Sequence, residues 1–221
     1  SQYGGTKWAQ LNDTDGAKKT NDAKEGDRNL RGLARRFGYL EDHGTSHFSV
    51  VDKDGNAVAM TSSVNTYFGS GVVSASTGIV VNNQMDDFSN SVRPNAYGLH
   101  PSRFNYPEGG KRPLSSMSPS IVLDRYGAVR LVGGASGGPR IITATVQVIL
   151  NYLGRGMDLL SALRNPRTHS QLLPDLVYDE QHLLVSGLRI DNPTSLFMSL
   201  AIKGHNVTNW SHSMGVAQFV A

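Results

Sequence analysis

Short apolar runs separated by polar turn residues set the pattern of the chain. Residues 48–51 and 57–60 are Val-rich runs on either side of Asp52-Lys53-Asp54-Gly55-Asn56, and the Asp-Gly pair in that gap predicts a β-hairpin. A second hairpin is predicted over 120–132, where residues 120–123 and 128–132 flank Asp124-Arg125-Tyr126-Gly127. Residues 78–83, 176–178 and 215–220 read as further strands, the first ending in the polar pair Asn82-Asn83. Helical spacing replaces alternation in 139–153, where Ile142, Val146, Ile149 and Leu153 share one face expected to pack on a sheet. Two more helices are predicted: 157–163, stopped by Asn165-Pro166, and 193–203, capped by Thr194 or Asn192 and ended by Gly204.

Two stretches depart from this rhythm. The first 44 residues carry eight Lys or Arg and seven Asp or Glu, against thirteen and eleven in all the rest. Within them, 13–27 is polar and interrupted by Gly16 and Gly26, as expected of a mobile loop, and 29–37 predicts a short helix with Leu30, Leu33 and Phe37 on one side. Residues 89–110, rich in Pro, Asn, Tyr and Gly, read as an ordered irregular loop, and a loop this long in a compact domain is often a lid.

Composition narrows the chemistry. A chain of 221 residues can form one sizeable domain with a real core. A formal charge of +3 without a basic block does not imply a nucleic-acid partner. The absence of cysteine removes disulfides, thiolate metal sites and cysteine nucleophiles together, and the seven histidines have no metal spacing. No run is long and apolar enough to span a membrane, and the N-terminus does not read as a signal peptide. Asn12-Asp13-Thr14, Asn206-Val207-Thr208 and Asn209-Trp210-Ser211 match the glycosylation sequon, a triplet short enough to arise by chance.

The first hairpin carries the candidate chemistry. Counting outward from Asp54-Gly55 as turn centre places Val64 opposite Thr45, with Ser63 and Asn65 flanking; a one-residue bulge would bring one of those two directly across. A hydroxyl is a weak nucleophile at neutral pH and needs a base, and one solution is the free α-amine of the same threonine. That amine exists only once the Gly44-Thr45 bond is broken, and glycine upstream is expected to let the backbone strain and leave its carbonyl open to the Thr45 hydroxyl. His47, two residues along the strand, stands too far from Thr45 to serve as its base and is expected to be structural.

Gln84, Asp86 and Asp87 follow a predicted strand end, where a sheet fixes side chains and a loop exposes them. Ser115-Ser116 precede the second hairpin, where two serines can also cap a turn. Gly133 to Gly138 sit between a strand and a helix, where exposed backbone N–H groups suit an anion. The Gly-Lys-Ser/Thr ending of a phosphate loop is missing, which leaves the oxyanion of an acyl transfer as the other candidate.

Four stretches in this order, Gly44-Thr45-Ser46-His47-Phe48-Ser49-Val50-Val51-Asp52, Asn82-Asn83-Gln84-Met85-Asp86-Asp87-Phe88, Lys111-Arg112-Pro113-Leu114-Ser115-Ser116-Met117 and Gly133-Gly134-Ala135-Ser136-Gly137-Gly138, resemble the small-subunit region of the γ-glutamyltransferases, glutathione hydrolases of the N-terminal-nucleophile class. The likeness covers about 40–173. It implies an α+β fold, two sheets sandwiched between helix layers, with part of the sandwich supplied by a large subunit. Residues 1–44 would be the end of that large subunit and 45–221 the small catalytic subunit, truncated at its C-terminus. Thr45 would be the nucleophile after autocatalytic cleavage between Gly44 and Thr45, with Ser63 a further catalytic candidate. Gly137 and Gly138 would hold the oxyanion; Asn65, Gln84 and Asp87 the substrate's α-amino group; Ser115 and Ser116 its α-carboxylate.

The resemblance further implies a γ-glutamyl donor such as glutathione, an acceptor amino acid, dipeptide or water, no cofactor, and a site outside the cell, in the periplasm or at the cell surface. The family takes an arginine for the carboxylate from the large subunit, and Arg112 and Arg140 are assigned structural roles. Two other readings remain: a related acylase acting on another amide, such as a β-lactam side chain, and a non-catalytic fragment or interaction domain.

Overall fold

The computed structural model describes residues 5–7, 44–92, 94–183, 189–210 and 214–221. The loop and helix expected within 13–37 lie outside these, as do the sequon at Asn12 and the Ser211 of the third sequon. In chain order the strands are β1 (Gly5–Lys7), β2 (Thr45–Val51), β3 (Ala57–Ser63), β4 (Val72–Ser74), β5 (Ser120–Leu123), β6 (Val129–Ser136), β7 (Thr168–His169), β8 (Val177–Glu180), β9 (His182–Leu183), β10 (Arg189–Ile190), β11 (Val207–Trp210) and β12 (Val216–Val220). The α-helices are α1 (Arg140–Ile149), α2 (Leu159–Arg164) and α3 (Thr194–Ile202).

Two layers of strand position the site. The β2–β3 hairpin faces a sheet of order β12-β6-β5, and α1 covers the opposite side of that sheet. Rings from neighbouring strands explain the glycines of β6. A side chain at Gly133 would run into the ring of Phe219, its cross-strand neighbour on β12, and one at Gly134 would meet His47 Nδ1 at 2.6 Å, so the hairpin layer approaches only because Gly134 has no Cβ. Residues 133–136 therefore belong to the strand, and the predicted glycine loop shrinks to Gly137-Gly138. On the helix side, Ala135, Ile141 and Ala144 form the core with Ala217 against them.

The helix over 139–153 forms, but on a different face from the predicted one. Ile141, Ala144, Thr145 and Val148 are buried, whereas Ile142 and Val146 are about half exposed. Apolar residues occupy both sides of α1, so spacing alone could not choose between them. A π-turn over Leu150–Gly154 extends it. Strand 78–83 is reduced to one bridge, Val80 to Val73. Helix α3 begins without a side-chain cap: Pro193, not Asn192 or Thr194, stands at its N-cap position, and Asn192 Nδ2 donates to Asp179 Oδ1 at 2.6 Å. By contrast α2 is capped as its sequence allows, with Asp158 accepting the Ser161 N–H at 2.9 Å.

A third sheet, β11-β8-β7, carries a buried ion pair. Arg167 Nε and Nη2 reach the Glu180 carboxylate at 2.8 and 2.7 Å, a two-pronged pair with both side chains almost wholly buried. Burial pushes the Glu180 carboxyl up, but Arg167 and the Met214 and Arg167 N–H groups outweigh it and hold the carboxyl below its usual range. Arg167 Nη2 also donates to the Gly215 carbonyl at 2.9 Å, and Gly215 packs behind Gly137. The pair thus ties the third sheet to the turn at the head of α1.

Candidate active site

The hairpin turn decides which residue faces Thr45. Asp52 N–H donates to the Asn56 carbonyl at 3.0 Å and Gly55 N–H to the Asp52 carbonyl at 3.1 Å, so three residues close the turn. Gly55 sits at φ 82°, the left-handed position of a three-residue bulged loop, and the Asp52 carboxylate braces it through Asp54, Asn56 and the Asn56 amide. The extra residue shifts the register by one from the simple count, and Ser63, not Val64, pairs with Thr45.

Thr45 is buried, and its Oγ1 lies 2.7 Å from Ser63 Oγ. Ser63 Oγ also accepts the Asn65 N–H at 2.8 Å and lies 3.4 Å from the Gly44 carbonyl, to which it donates. Either hydroxyl can donate in the Thr45–Ser63 contact; when Ser63 donates to Gly44, its Oγ is left to accept the Thr45 hydroxyl proton. The Val64 N–H donates to the same Gly44 carbonyl at 2.7 Å. A carbonyl held by two donors next to a hydroxyl is polarised where that hydroxyl would attack. Glycine is required at 44 for space rather than for an unusual φ: a Cβ would collide with the Thr66 carbonyl and come within 2.6 Å of Val64 Cγ2.

His47 is not part of this group. Its Nδ1 is 2.8 Å from Thr61 Oγ1 and its Nε2 3.0 Å from Ser49 Oγ, and burial lowers its pKa. It is a packed imidazole filling the space above Gly134.

A cavity of about 380 Å³ opens in front of Thr45. Ser63, Asn65, Gln84, Asp87, Ser115, Ser116 and Gly138 all line it, so residues spread over the whole middle of the sequence converge. Gly137, buried behind Gly138, does not. Gly137 and Gly138 adopt φ 134° and 60°, values that exclude most side chains. Gln84 and Asp87 sit at the ends of a single 3-10 turn, Gln84–Asp87, joined by Gln84 Nε2 to Asp87 Oδ2 at 2.6 Å. Burial raises the Asp87 pKa despite that bond, and Asp86 adds to the rise. Gln84 Oε1 is a buried acceptor with no partner among the described residues. A half-buried carboxylate beside a buried acceptor suits a cation that brings its own donors, such as an ammonium.

Three cavity residues carried no local sequence signal. Tyr97, in the 89–110 loop, lays its ring against Gly138 and donates its hydroxyl to the Asn65 carbonyl at 2.8 Å. Burial, with Asp87 and Asp86 nearby, pushes that hydroxyl up to about 12, so it stays a donor at any working pH. His169 contacts Thr143 Oγ1 at 2.9 Å and Gln171 Oε1 at 3.2 Å, and burial lowers its pKa. Gln171 in turn donates to the Tyr97 carbonyl at 3.3 Å, which ties the loop to the segment just after β7. Arg140 is stacked on the Trp210 ring at 4.3 Å and does not line the cavity. Among the described residues no group of three or more His, Asp or Glu could hold a metal ion, and no helix is long and apolar enough to cross a membrane.

The comparisons with known proteins agree with one another. The family described as Gamma-glutamyltranspeptidase matches residues 6–221. The chain is 43% identical over 169 residues to a glutathione hydrolase proenzyme of Arthroderma benhamiae, an alignment covering 76% of this chain and 27% of that one. It is 48% identical over 162 residues to the putative inactive glutathione hydrolase 4 of Arabidopsis thaliana, covering 72% of this chain and 83% of that one. The structure superposes on a threonine-to-alanine variant of Helicobacter pylori gamma-glutamyltranspeptidase with a TM-score of 0.70 at 39% identity, covering 79% of this chain and 89% of that chain. The chain therefore spans about a quarter of the length of the proenzyme and most of the length of the other two.

Proposed function

The chain belongs to the gamma-glutamyltranspeptidase family and shares its N-terminal-nucleophile hydrolase fold, and from that premise we propose that it is the nucleophile-bearing part of an enzyme that transfers or hydrolyses γ-glutamyl groups. The observation that carries this reading is the cavity, which places the Thr45 hydroxyl, the Gly138 turn and the Asp87 carboxylate around one space. Residues 45–221 would be the small subunit, and 1–44 the end of a large subunit made in the same precursor.

In this reading Thr45 Oγ first attacks the Gly44 carbonyl, the Gly44 acyl group passes from the Thr45 nitrogen to its oxygen, and water hydrolyses that ester, freeing the Thr45 α-amine and hydroxyl and leaving a carboxylate on Gly44. Thr45 Oγ then attacks the γ-carbonyl of a donor such as glutathione while the amine takes the hydroxyl proton. The carbonyl oxygen becomes an oxyanion held by the N–H groups of Gly137 and Gly138. Collapse breaks the amide, the leaving amine (cysteinylglycine from glutathione) takes the proton, and the γ-glutamyl group stays as an ester on Thr45. Water or an acceptor amine attacks that ester, returning Thr45 and releasing glutamate or a new γ-glutamyl compound. Asp87, Gln84 and Asn65 are assigned to the donor's α-ammonium, and Ser115 and Ser116 to its α-carboxylate. The ammonium pocket favours a γ-glutamyl donor over the uncharged acyl group of a general acylase.

One observation favours a second reading, a non-catalytic protein: a relative of comparable length is named putative inactive. A chromogenic γ-glutamyl anilide separates the two. The isolated chain with Gly44-Thr45 intact should show no turnover above its Thr45→Ala variant, because the Thr45 nitrogen is an amide and cannot act as the base. Full-length protein, carrying the rest of the proenzyme, should turn the anilide over. Silence of the cleaved full-length protein would favour the non-catalytic reading, and turnover by the uncleaved chain would refute the role given to the amine.

A further inference from the structure

Asn105 ends a short 3-10 turn, Arg103–Asn105, in the 89–110 loop, and it is buried. Its side chain is shared between two stretches that are far apart in sequence. Nδ2 donates to the Asp87 carbonyl at 2.8 Å and reaches Ser89 Oγ at 3.3 Å, while Oδ1 accepts the Leu114 N–H at 3.0 Å. Its own carbonyl accepts the Ser89 N–H at 2.9 Å. One amide therefore grips the backbone at Asp87 with its donor end and the residue just before Ser115-Ser116 with its acceptor end.

The segment it grips has little else to fix it. Residues 111–119 form no helix or strand, Ser115 is exposed, and the bonds there are short-range: Ser115 Oγ with Met117 N–H, and Ser118 Oγ to the Ser116 carbonyl. Lys111 adds an exposed tie to the Phe104 and Tyr106 carbonyls, on a long side chain that is costly to hold still. The Asn105 to Leu114 bond, made by a short buried side chain, is the more rigid link.

We propose that Asn105 is a positioning residue that sets the spacing between the two halves of the donor clamp, Asp87 on one side and Ser115-Ser116 on the other, and thereby selects donors that carry both an ammonium and a carboxylate on one carbon. The proposal rests on the reading of the cavity as a γ-glutamyl site. Those two substrate charges have a fixed separation, so both sets of partners are reached at once only if the protein holds them at a matching distance. A donor with one of the two charges needs no such match.

The test uses full-length protein and three anilides: γ-glutamyl, glutaryl (no ammonium) and 4-aminobutyryl (no carboxylate). Asn105→Asp keeps the acceptor for Leu114 and loses the donor to Asp87; Asn105→Ala loses both. With γ-glutamyl anilide, kcat/KM should fall roughly tenfold to a hundredfold, mainly through KM, as misplacement by about 1 Å can do. The two single-charge anilides should change much less, so the preference for the γ-glutamyl group collapses. A uniform loss on all three, or failure of both variants to fold, would make Asn105 a residue of the fold alone and overturn the proposal. If the unmutated protein shows no preference for γ-glutamyl over the other two anilides, the donor reading itself is what fails.

Discussion

Thr45→Ala is expected to leave full-length protein uncut at Gly44-Thr45 and without turnover of γ-glutamyl anilide. Both losses follow from one atom. The Thr45 Oγ1 is buried, bonded to Ser63 Oγ at 2.7 Å, and adjacent to a carbonyl that Val64 and Ser63 polarise. Removing it removes the nucleophile for self-cleavage and, in the same step, the nucleophile that would carry the γ-glutamyl ester. Intact-mass measurement of the unmutated protein should find a fragment beginning Thr-Ser-His-Phe, and the variant should lack it. Thr45→Ser, which keeps a hydroxyl, should still split. Cleavage of the alanine variant at the same bond and rate would assign the cut to an outside protease.

Asp87→Ala is expected to cost about 2–5 kcal/mol of transition-state binding, roughly thirtyfold to several thousandfold in kcat/KM, as loss of one half of a desolvated charge pair does. Its carboxylate is half-buried beside Gln84 Oε1, a buried acceptor set to share the same ammonium. Burial raises the Asp87 pKa, so this carboxylate takes up its proton earlier on acidification than an exposed aspartate, and donor kcat/KM should begin to fall from that higher pH. The sign for stability is opposite. A folded-state pKa raised above the unfolded one makes ionisation a penalty on the fold, present in full above the folded value and absent below the unfolded one. Asp87→Asn should therefore melt no lower than the parent at neutral pH while losing the donor. Unchanged donor kinetics in either variant would shift the site towards a general acylase.

Much of this was legible in the sequence, for identifiable reasons. Hairpin β2–β3 is announced by Asp54-Gly55 between two Val-rich runs, and strand β12 by its apolar run. The register at Thr45 was not, because a three-residue bulged turn and a two-residue turn present the same Asp-Gly and differ only in backbone angles. The buried face of α1 was misassigned because Ile and Val occupy both sides of the helix, and the sheet beneath it decides the matter. Gly133 and Gly134 looked like loop because their purpose, to admit Phe219 and His47, lies in contacts from other strands. Of the candidate site, one or more residues from each of the four motifs line one cavity together with Ser63 and Asn65, and Gly137 does not line it. Tyr97, His169 and Asn105 were silent because a long irregular loop and a two-residue strand have no periodicity to read, and their roles are made by hydrogen bonds across the chain.

If Thr45 carries the γ-glutamyl group as an ester, that ester can be trapped and located. Full-length protein mixed with a γ-glutamyl anilide, quenched in acid within the first turnover and digested, gives peptides whose mass and fragmentation locate any adduct. One γ-glutamyl adduct is expected, on the peptide that begins at Thr45 and on its hydroxyl, appearing before steady release of glutamate. An adduct on any other residue, or a full burst of released aniline with Thr45 unmodified, would contradict it.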